Sequence, residues 1–327
     1  MAAVQTRTVD RDEAGMRLDR WFKAHYPGLG FGHLQKLLRS GQIRVDGARA
    51  KTNTRLETGQ AVRVPPLSAD SAAAPQEAVG DRGELANCLI YEDNAVLIFN
   101  KPAGLAVQGG SGLTKHVDGM LEAWRDRKGQ KPRLVHRLDR ETSGVLVVAR
   151  TRLAASRLAQ AFRSRSTRKT YWALVAGVPK PRQGKISTYL ARGDGRDAER
   201  MLVVPHGADA DHAITHYSVV DQAGTRLAWL TMRPVTGRTH QLRAHAAHIG
   251  HPIVGDPLYF GLKDWELPGG LQNRLHLHAR RIEMPHPEAG RIDVTAPLPP
   301  HMQQAWNLLG FDIDEAASET SGERRSA

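Results

Sequence analysis

Cysteine is almost missing from this sequence: Cys88 is the only one in 327 residues. No disulfide framework can form within the chain, and the composition fits a reducing compartment. Cys88 sits beside Leu89 and Ile90, which suits a small core residue better than a nucleophile. Long apolar runs are lacking too. No stretch reaches the roughly 18 apolar residues that a membrane span needs, and the first residues, MAAVQTRTVDRDEAG, lack the apolar core of a signal peptide. A cytoplasmic protein without a membrane partner is expected. Acids are also short: 34 Asp and Glu stand against 46 Lys and Arg, a formal charge of +12. An excess of this size favours a polyanionic partner, with nucleic acid ahead of a membrane surface.

The excess is clustered. Between Lys131 and Lys169 there are eleven Lys or Arg and two acids, Asp139 and Glu141. Asp139 lies in RLVHRLDRETSGVLVVAR, ahead of the apolar run Val145–Ala149 that reads as a buried strand. An acid on a loop before a rigid strand is well placed for chemistry; taken alone, it also suits a turn or a helix cap.

Residues 14–66 read as one small unit. Leu18 and Phe22 mark a helix that ends near Pro27, and Leu34, Leu37 and Leu38 a second over His33–Ser40, stopped by Gly41. Ile43–Val45 leads into the hairpin signal Asp46-Gly47, and Ala61–Val64 reads as another strand. Ten Lys or Arg against three acids lie between Met16 and Pro66, among them Lys36, Arg39, Arg44, Arg49, Lys51 and Arg55 on the second helix and the turns after it. Residues 67–87 are rich in Ala, Pro, Ser and Gly and hold no aromatic residue, so a flexible tether is expected.

Residues 88–311 read as the larger domain. Strands are expected at Leu89–Tyr91, Ala95–Phe99, Thr170–Val178, Ile214–Val220, Leu227–Met232, Arg274–Met284 and Arg291–Thr295. Helices are expected at His116–Arg127, Leu153–Phe162, from a Thr239 cap to Ile249, and at His301–Leu309. Strands and helices do not alternate regularly, which predicts an α+β fold on a mixed, largely antiparallel sheet. The small, polar residues 312–327 read as a disordered tail.

Two other motifs are set aside. His240, His245, His248 and His251 do not repeat a metal-binding spacing, and no Cys or Glu joins them, so no metal is expected. Gly109–Lys115 has glycines and a lysine but lacks the Gly-Lys-Ser/Thr ending of a phosphate loop.

The segments HRLDRETSG (136–144), RKTYWALVAG (168–177), GRTHQLRAH (237–245), HPIVGDPLY (251–259) and NKPAGLAVQGGSG (100–112) resemble, in order, the pseudouridine synthases that act on large-subunit ribosomal RNA, most of all their C branch. Residues 14–66 resemble the small alpha-L RNA-binding domain. The resemblance implies isomerisation of uridine to pseudouridine on a flipped-out nucleotide, without cofactor. It implies Asp139 as the catalytic carboxylate, Arg243 as its ion partner, Tyr171 stacked on uracil, and Arg137 with His136 on the substrate side. Arg137 would fill the space the base leaves. It further implies that Lys36, Arg39, Arg44, Arg49, Lys51 and Arg55 grip RNA, with large-subunit ribosomal RNA the expected partner of a monomer. A synthase for transfer RNA and an inactive RNA-binding or ribosome-assembly factor are the alternatives. The second would lack the Asp, Tyr or Arg, and all three are present. Gln108 departs from the pattern, standing where the C branch often has His.

Overall fold

The computed structural model describes residues 4–26, 28–67, 82–109, 114–127, 129–207 and 209–313. Most of the expected tether (68–81), part of the glycine-rich segment (110–113) and most of the expected tail (314–327) lie outside the described residues. The chain divides into two compact units. One holds the described parts of Met1–Asp81, Leu121–Arg133 and Ala149–Arg157; the other holds those of Arg82–Met120, Leu134–Val148 and Leu158–Ala327.

The first unit opens with β1 (Gln5–Thr8), then α1 (Leu18–His25) and α2 (Phe31–Arg39), followed by β2 (Arg44–Val45), β3 (Ala48–Arg49) and β4 (Ala61–Val64). The four strands form one sheet in the order β1-β4-β2-β3. The hairpin signal is realised as a turn with Asp46 at φ 49° and Gly47 at φ 77°, the pair of positive angles that a tight two-residue hairpin needs. β1 was not expected, because QTRT is exposed along its whole length and carries no apolar alternation. Both helices turn their apolar stripe inward: Leu18, Trp21 and Phe22 meet Leu34, Leu37 and Leu38 in a core closed by Ile43, Leu56 and Val62.

The rest of the chain supplies α3 (Gly83–Ala86), β5 (Leu89–Glu92), β6 (Val96–Lys101), α4 (Val117–Met120), β7 (Arg133–Leu134), β8 (Ser143–Ala149) and α5 (Arg152–Arg163). It continues with β9 (Arg168–Ala176), β10 (Gln183–Arg192), β11 (Met201–Val204), β12 (Asp211–Ala223), β13 (Leu227–Pro234), α6 (Gln241–His248), β14 (Leu277–Pro285), β15 (Arg291–Thr295) and α7 (Pro300–Leu309). The main run of an eleven-stranded sheet is β11-β10-β12-β13-β9-β14-β8-β6-β5, with β15 beside β14. Pairs from β11 across to β14 are antiparallel, as is β5 with β6, while β8 runs parallel to β14. The expected mixed, largely antiparallel α+β sheet is therefore the one formed.

Strand alternation divides the core between the two sheet faces. On β9, Trp172 and Leu174 pack with Trp229 and with Met302, Ala305 and Trp306 of α7. Ala173 and Val175 point the other way and pack with Leu242 and Ala246 of α6. Burial of the Leu, Val and Met side chains among these contributes roughly 1.5–3 kcal/mol each.

Several expectations need correction. Gly83–Ala86, inside the expected tether, forms a helical turn that buries Leu85. Ile313, inside the expected tail, packs against the α7 core. Cys88 is half-buried, its thiol donating to the Glu84 carbonyl, and is no core residue. The helix expected over His116–Arg127 has helical turns only over Val117–Met120 and Leu121–Trp124. Thr239 does not cap α6. His240 holds that position at φ 50°, and the turn is closed by Gln241, whose side-chain carbonyl accepts from the Thr236 hydroxyl (2.7 Å) and the Arg238 N–H (3.1 Å).

Candidate active site

Asp139 lies on the loop between β7 and β8, and two features fix that loop. Gly144 (φ 110°), the second residue of β8, lies where that strand runs beside β14, and a Cβ there would stand 2.2 Å from the Ala279 carbonyl oxygen. Only glycine lets the strands come this close. The second feature is Lys101 at the end of β6. Its buried ammonium donates to the carbonyls of Pro102 (2.8 Å), Leu105 (2.8 Å) and Arg140 (3.0 Å). Arg140 also exchanges hydrogen bonds with Gly104, so the Lys101-Pro102-Ala103-Gly104 turn is stitched to the residue after Asp139. Burial pushes the Lys101 pKa down to about 7, and Glu141 and Asp139 oppose that shift. The three carbonyls take one ammonium proton each and favour the charged form.

Asp139 borders a cavity of about 560 Å³ that Arg137, Lys169, Tyr171, His240 and Arg243 also line. Lys169 and Tyr171 are two residues apart on β9 and so share a face; the Lys169 ammonium donates to the Thr236 carbonyl at 3.2 Å. Burial lowers the Lys169 pKa. Burial, with help from the Asp139 charge, pushes the Tyr171 phenol well up, so it stays protonated. Arg137 stands exposed beside this space.

Arg243 does not pair directly with Asp139, contrary to expectation. Its Nε and Nη2 donate to Asp256 at 2.7 and 2.6 Å, a two-pronged ion pair with side-chain exposures of 4% and 0%. A guanidinium matches a carboxylate in this way where both are shielded from water. Asp256 is fixed in turn by the N–H groups of Leu258 (2.9 Å) and Tyr259 (3.1 Å). Gly255 before it (φ 72°) passes so close to Arg274 that a Cβ would stand 1.9 Å from that carbonyl oxygen. Burial works against the Arg243 charge, but Asp256 and then Asp139 hold its pKa above the ordinary value. Arg243 thus reaches Asp139 through its field, while the His240 ring faces the carboxylate with its Nε2 4.0 Å from Oδ1.

His136 also differs from expectation. Its Nε2 accepts the Val147 N–H at 2.8 Å and its ring stacks on Phe162 at 4.8 Å. Burial pushes its pKa down to about 3, with Lys169 adding to the shift, so the ring is neutral. It ties the Asp139 loop to β8 and offers the cavity a ring edge. Two other histidines of the cluster are engaged separately: His245 with the hydroxyls of Thr215 (2.9 Å) and Thr188 (3.0 Å), His251 with the Ala176 carbonyl (2.8 Å). Among the described residues, no three metal-ligating side chains come together.

In the first unit, Lys36, Arg39, Arg44, Arg49, Lys51 and Arg55 are all exposed, and none pairs with an acid among the described residues. Arg44 and Arg49 face each other across the β2–β3 hairpin as two like charges, while the Asp46 carboxylate in its turn accepts from the Ala61 N–H.

Asp256, Tyr259, His240, Lys101 and Lys169 carried no assigned role in the sequence. Lys169 was legible by alternation with Tyr171, and Asp256 and Tyr259 lay inside the quoted HPIVGDPLY segment.

Residues 95–248 match the model of the RNA pseudouridylate synthase family. The chain is 35% identical to ribosomal large subunit pseudouridine synthase C of Vibrio cholerae, covering 94% of this chain and 97% of that one. It is 36% identical to the Escherichia coli K12 protein of the same name, with the same coverage. Among solved structures, human RNA pseudouridylate synthase domain containing 4 superposes with a TM-score of 0.58 at 27% identity, over 70% of this chain and 95% of that one. The chain belongs to the RNA pseudouridine synthase family, whose members isomerise uridine to pseudouridine in RNA.

Proposed function

We propose that this enzyme acts on uridines of large-subunit ribosomal RNA, with Asp139 as the reacting carboxylate. The observation that carries the reading is the convergence of Asp139, Tyr171 and Arg243 on one cavity of a size suited to a small ligand. A stacked uridine must first leave the helix. Arg137, exposed beside the cavity, fills the space it leaves, and the protonated Tyr171 ring stacks on the uracil. The Asp139 carboxylate stabilises positive character at C1′ as the N1–C1′ bond breaks. The uracil turns and C5 bonds to C1′. C5 then gives up its proton and N1 takes one, so the reaction is balanced without a cofactor. Arg243, held by Asp256, places a fixed positive charge beside the cavity that Asp139 borders.

Residues 14–66 serve as an alpha-L domain that grips RNA through Lys36, Arg39, Arg44, Arg49, Lys51 and Arg55, joined by residues 67–87 to the catalytic domain 88–311 and followed by a tail, 312–327. The names of the Vibrio and Escherichia relatives support the ribosomal target. The enzyme works as a monomer in the cytoplasm, in keeping with its single cysteine.

The test is a pseudouridine map of large-subunit ribosomal RNA and transfer RNA, read as adduct-dependent stops of reverse transcription, in strains carrying the wild type or Asp139→Asn. Loss of stops in large-subunit RNA, by more than about a thousandfold in rate in vitro, with RNA binding retained, is expected. Unchanged stops would overturn the reading, and loss confined to transfer RNA would move the substrate there.

A further inference from the structure

His240 faces the reacting carboxylate, and the mechanism above gives it nothing to do. It precedes α6 at φ 50°, a backbone conformation uncommon for any residue with a Cβ. Its ring is held at one end and faces Asp139 at the other. Nδ1 lies 3.2 Å from the Tyr259 hydroxyl, and Nε2 lies 4.0 Å from Asp139 Oδ1. The Tyr259 oxygen is fixed in turn, accepting the Met201 N–H at 2.6 Å and lying 3.2 Å from the Met201 carbonyl. Tyr259 comes from the loop that clamps Arg243, so the loop that fixes the site's arginine also fixes this histidine.

The phenol has a single proton to give. Donated to Nδ1, it leaves a neutral imidazole whose one N–H is at Nε2, aimed at Asp139. Donated to the Met201 carbonyl, it leaves the phenol oxygen free to accept from Nδ1, which suits the imidazolium. The charged and titratable groups facing the ring are Asp139 from its loop, Arg243 on α6, Asp256 and Tyr259 from the loop after α6, and Arg137. Burial lowers the His240 pKa below its ordinary 6.5; Asp139 and Asp256 oppose this, and Arg243 and Arg137 add to it.

We propose that His240 is a positioning residue for Asp139: as the neutral imidazole it presents its Nε2–H to one carboxylate oxygen, leaving the other aimed at the sugar of the flipped uridine. About 1 Å of approach turns the 4.0 Å separation into a hydrogen bond, and a bound nucleotide supplies the occasion. Protonation of the ring replaces that neutral contact with an ion pair, which holds the carboxylate more tightly and blunts its reactivity. The inference rests on the pseudouridine synthase reading.

The test measures tritium release from RNA labelled at uridine C5, in single turnover with enzyme in excess, between about pH 5 and 8. Wild-type rate is expected to fall on the acid side of pH 6.5, where His240, its pKa lowered, titrates, and Asp139→Asn to release nothing. His240→Gln keeps an N–H at the place of Nε2 but does not titrate. It should work within about fivefold of wild type at pH 7.5 and lose that acid limb. His240→Asn suits the left-handed backbone but is too short to reach Asp139. It should be slowed roughly 10- to 100-fold with unchanged RNA affinity and melting temperature. An undiminished acid limb in His240→Gln, or a wild-type rate in His240→Asn, would overturn the proposal. A wild-type protein that releases no tritium, or an Asp139→Asn variant that releases it as wild type does, overturns the functional reading instead, and this inference with it.

Discussion

The cations of the two units are organised in opposite ways. In the first unit, Lys36, Arg39, Arg44, Arg49, Lys51 and Arg55 are exposed and none has an acid partner among the described residues. In the second, Arg243, Lys169 and Lys101 are largely withdrawn from water and each is held by named oxygens: Asp256, the Thr236 carbonyl, and the carbonyls of Pro102, Leu105 and Arg140. Exposed charges contribute little to a fold and are free to exchange counterions. Buried charges must be paired, and the pairing fixes where they point. One set is left open to solvent, the other is fixed in place. The largest expected effect breaks the second arrangement. Asp256→Asn leaves Arg243 buried without its carboxylate, which should cost about 3–5 kcal/mol in stability and abolish uridine isomerisation, measured by urea unfolding and tritium release. A stable, active variant would show that Arg243 needs no clamp.

The difference between the sets also explains what the sequence made visible. Exposed cations could be counted directly, and the two-residue period of β9 put Lys169 and Tyr171 on one face. Partners brought together by the tertiary fold were not visible. Lys101 meets a carbonyl 39 residues away, and Tyr259 meets a histidine 19 residues away; no local pattern signals either. Arg243 was expected on Asp139, but Asp256, buried and braced by two backbone N–H groups, is the carboxylate its fork reaches. β10 escaped notice because only Ile186 and Leu190 are buried along ten residues, a spacing that gives no strand alternation. The Asp139 loop was legible for the opposite reason. An uninterrupted apolar strand and a glycine that only close strand packing requires stand next to it in sequence.

The two units should also part company in acid. In the second, His245 and His276 have pKa values pushed down to about 4 by burial, and His278 to about 3. The unfolded chain protonates these rings near 6.5 while the folded one does not. Stability is therefore full above that value and falls as pH drops from about 6.5 toward 4. In the first unit, Glu13 accepts from the Trp21 indole and the Asp10 N–H and pairs with His25. Burial works against its charge, but these partners hold its pKa below the ordinary 4.5, so its contribution persists down to that region and is lost only below it. Urea unfolding at pH 7 and pH 5 should show the second unit weakened by a few kcal/mol, up to about 1.4 kcal/mol per ring per pH unit, with proteolytic fragments reporting which unit opens first. Equal midpoints at the two pH values would refute the idea that these rings are held neutral.

The smallest expected effect tests the exposed set. Arg44 and Arg49 oppose each other on the hairpin, and Arg44 is braced by the Gly41 and Gly47 carbonyls at 3.2 and 2.9 Å, so it is aimed outward without being neutralised. Arg44→Gln with Arg49→Gln relieves a like-charge pair, and the melting temperature should hold or rise slightly. Binding to large-subunit RNA fragments should weaken about 3- to 30-fold near physiological salt. The slope of log affinity against log salt should become shallower by up to about two if each arginine meets one phosphate. Single-turnover rate at saturating RNA should stay at the wild-type value, because no buried partner has been disturbed. A fall in that rate with affinity intact would erase the distinction between the two sets of cations, because an exposed pair would then be organising the reaction as well as gripping the substrate.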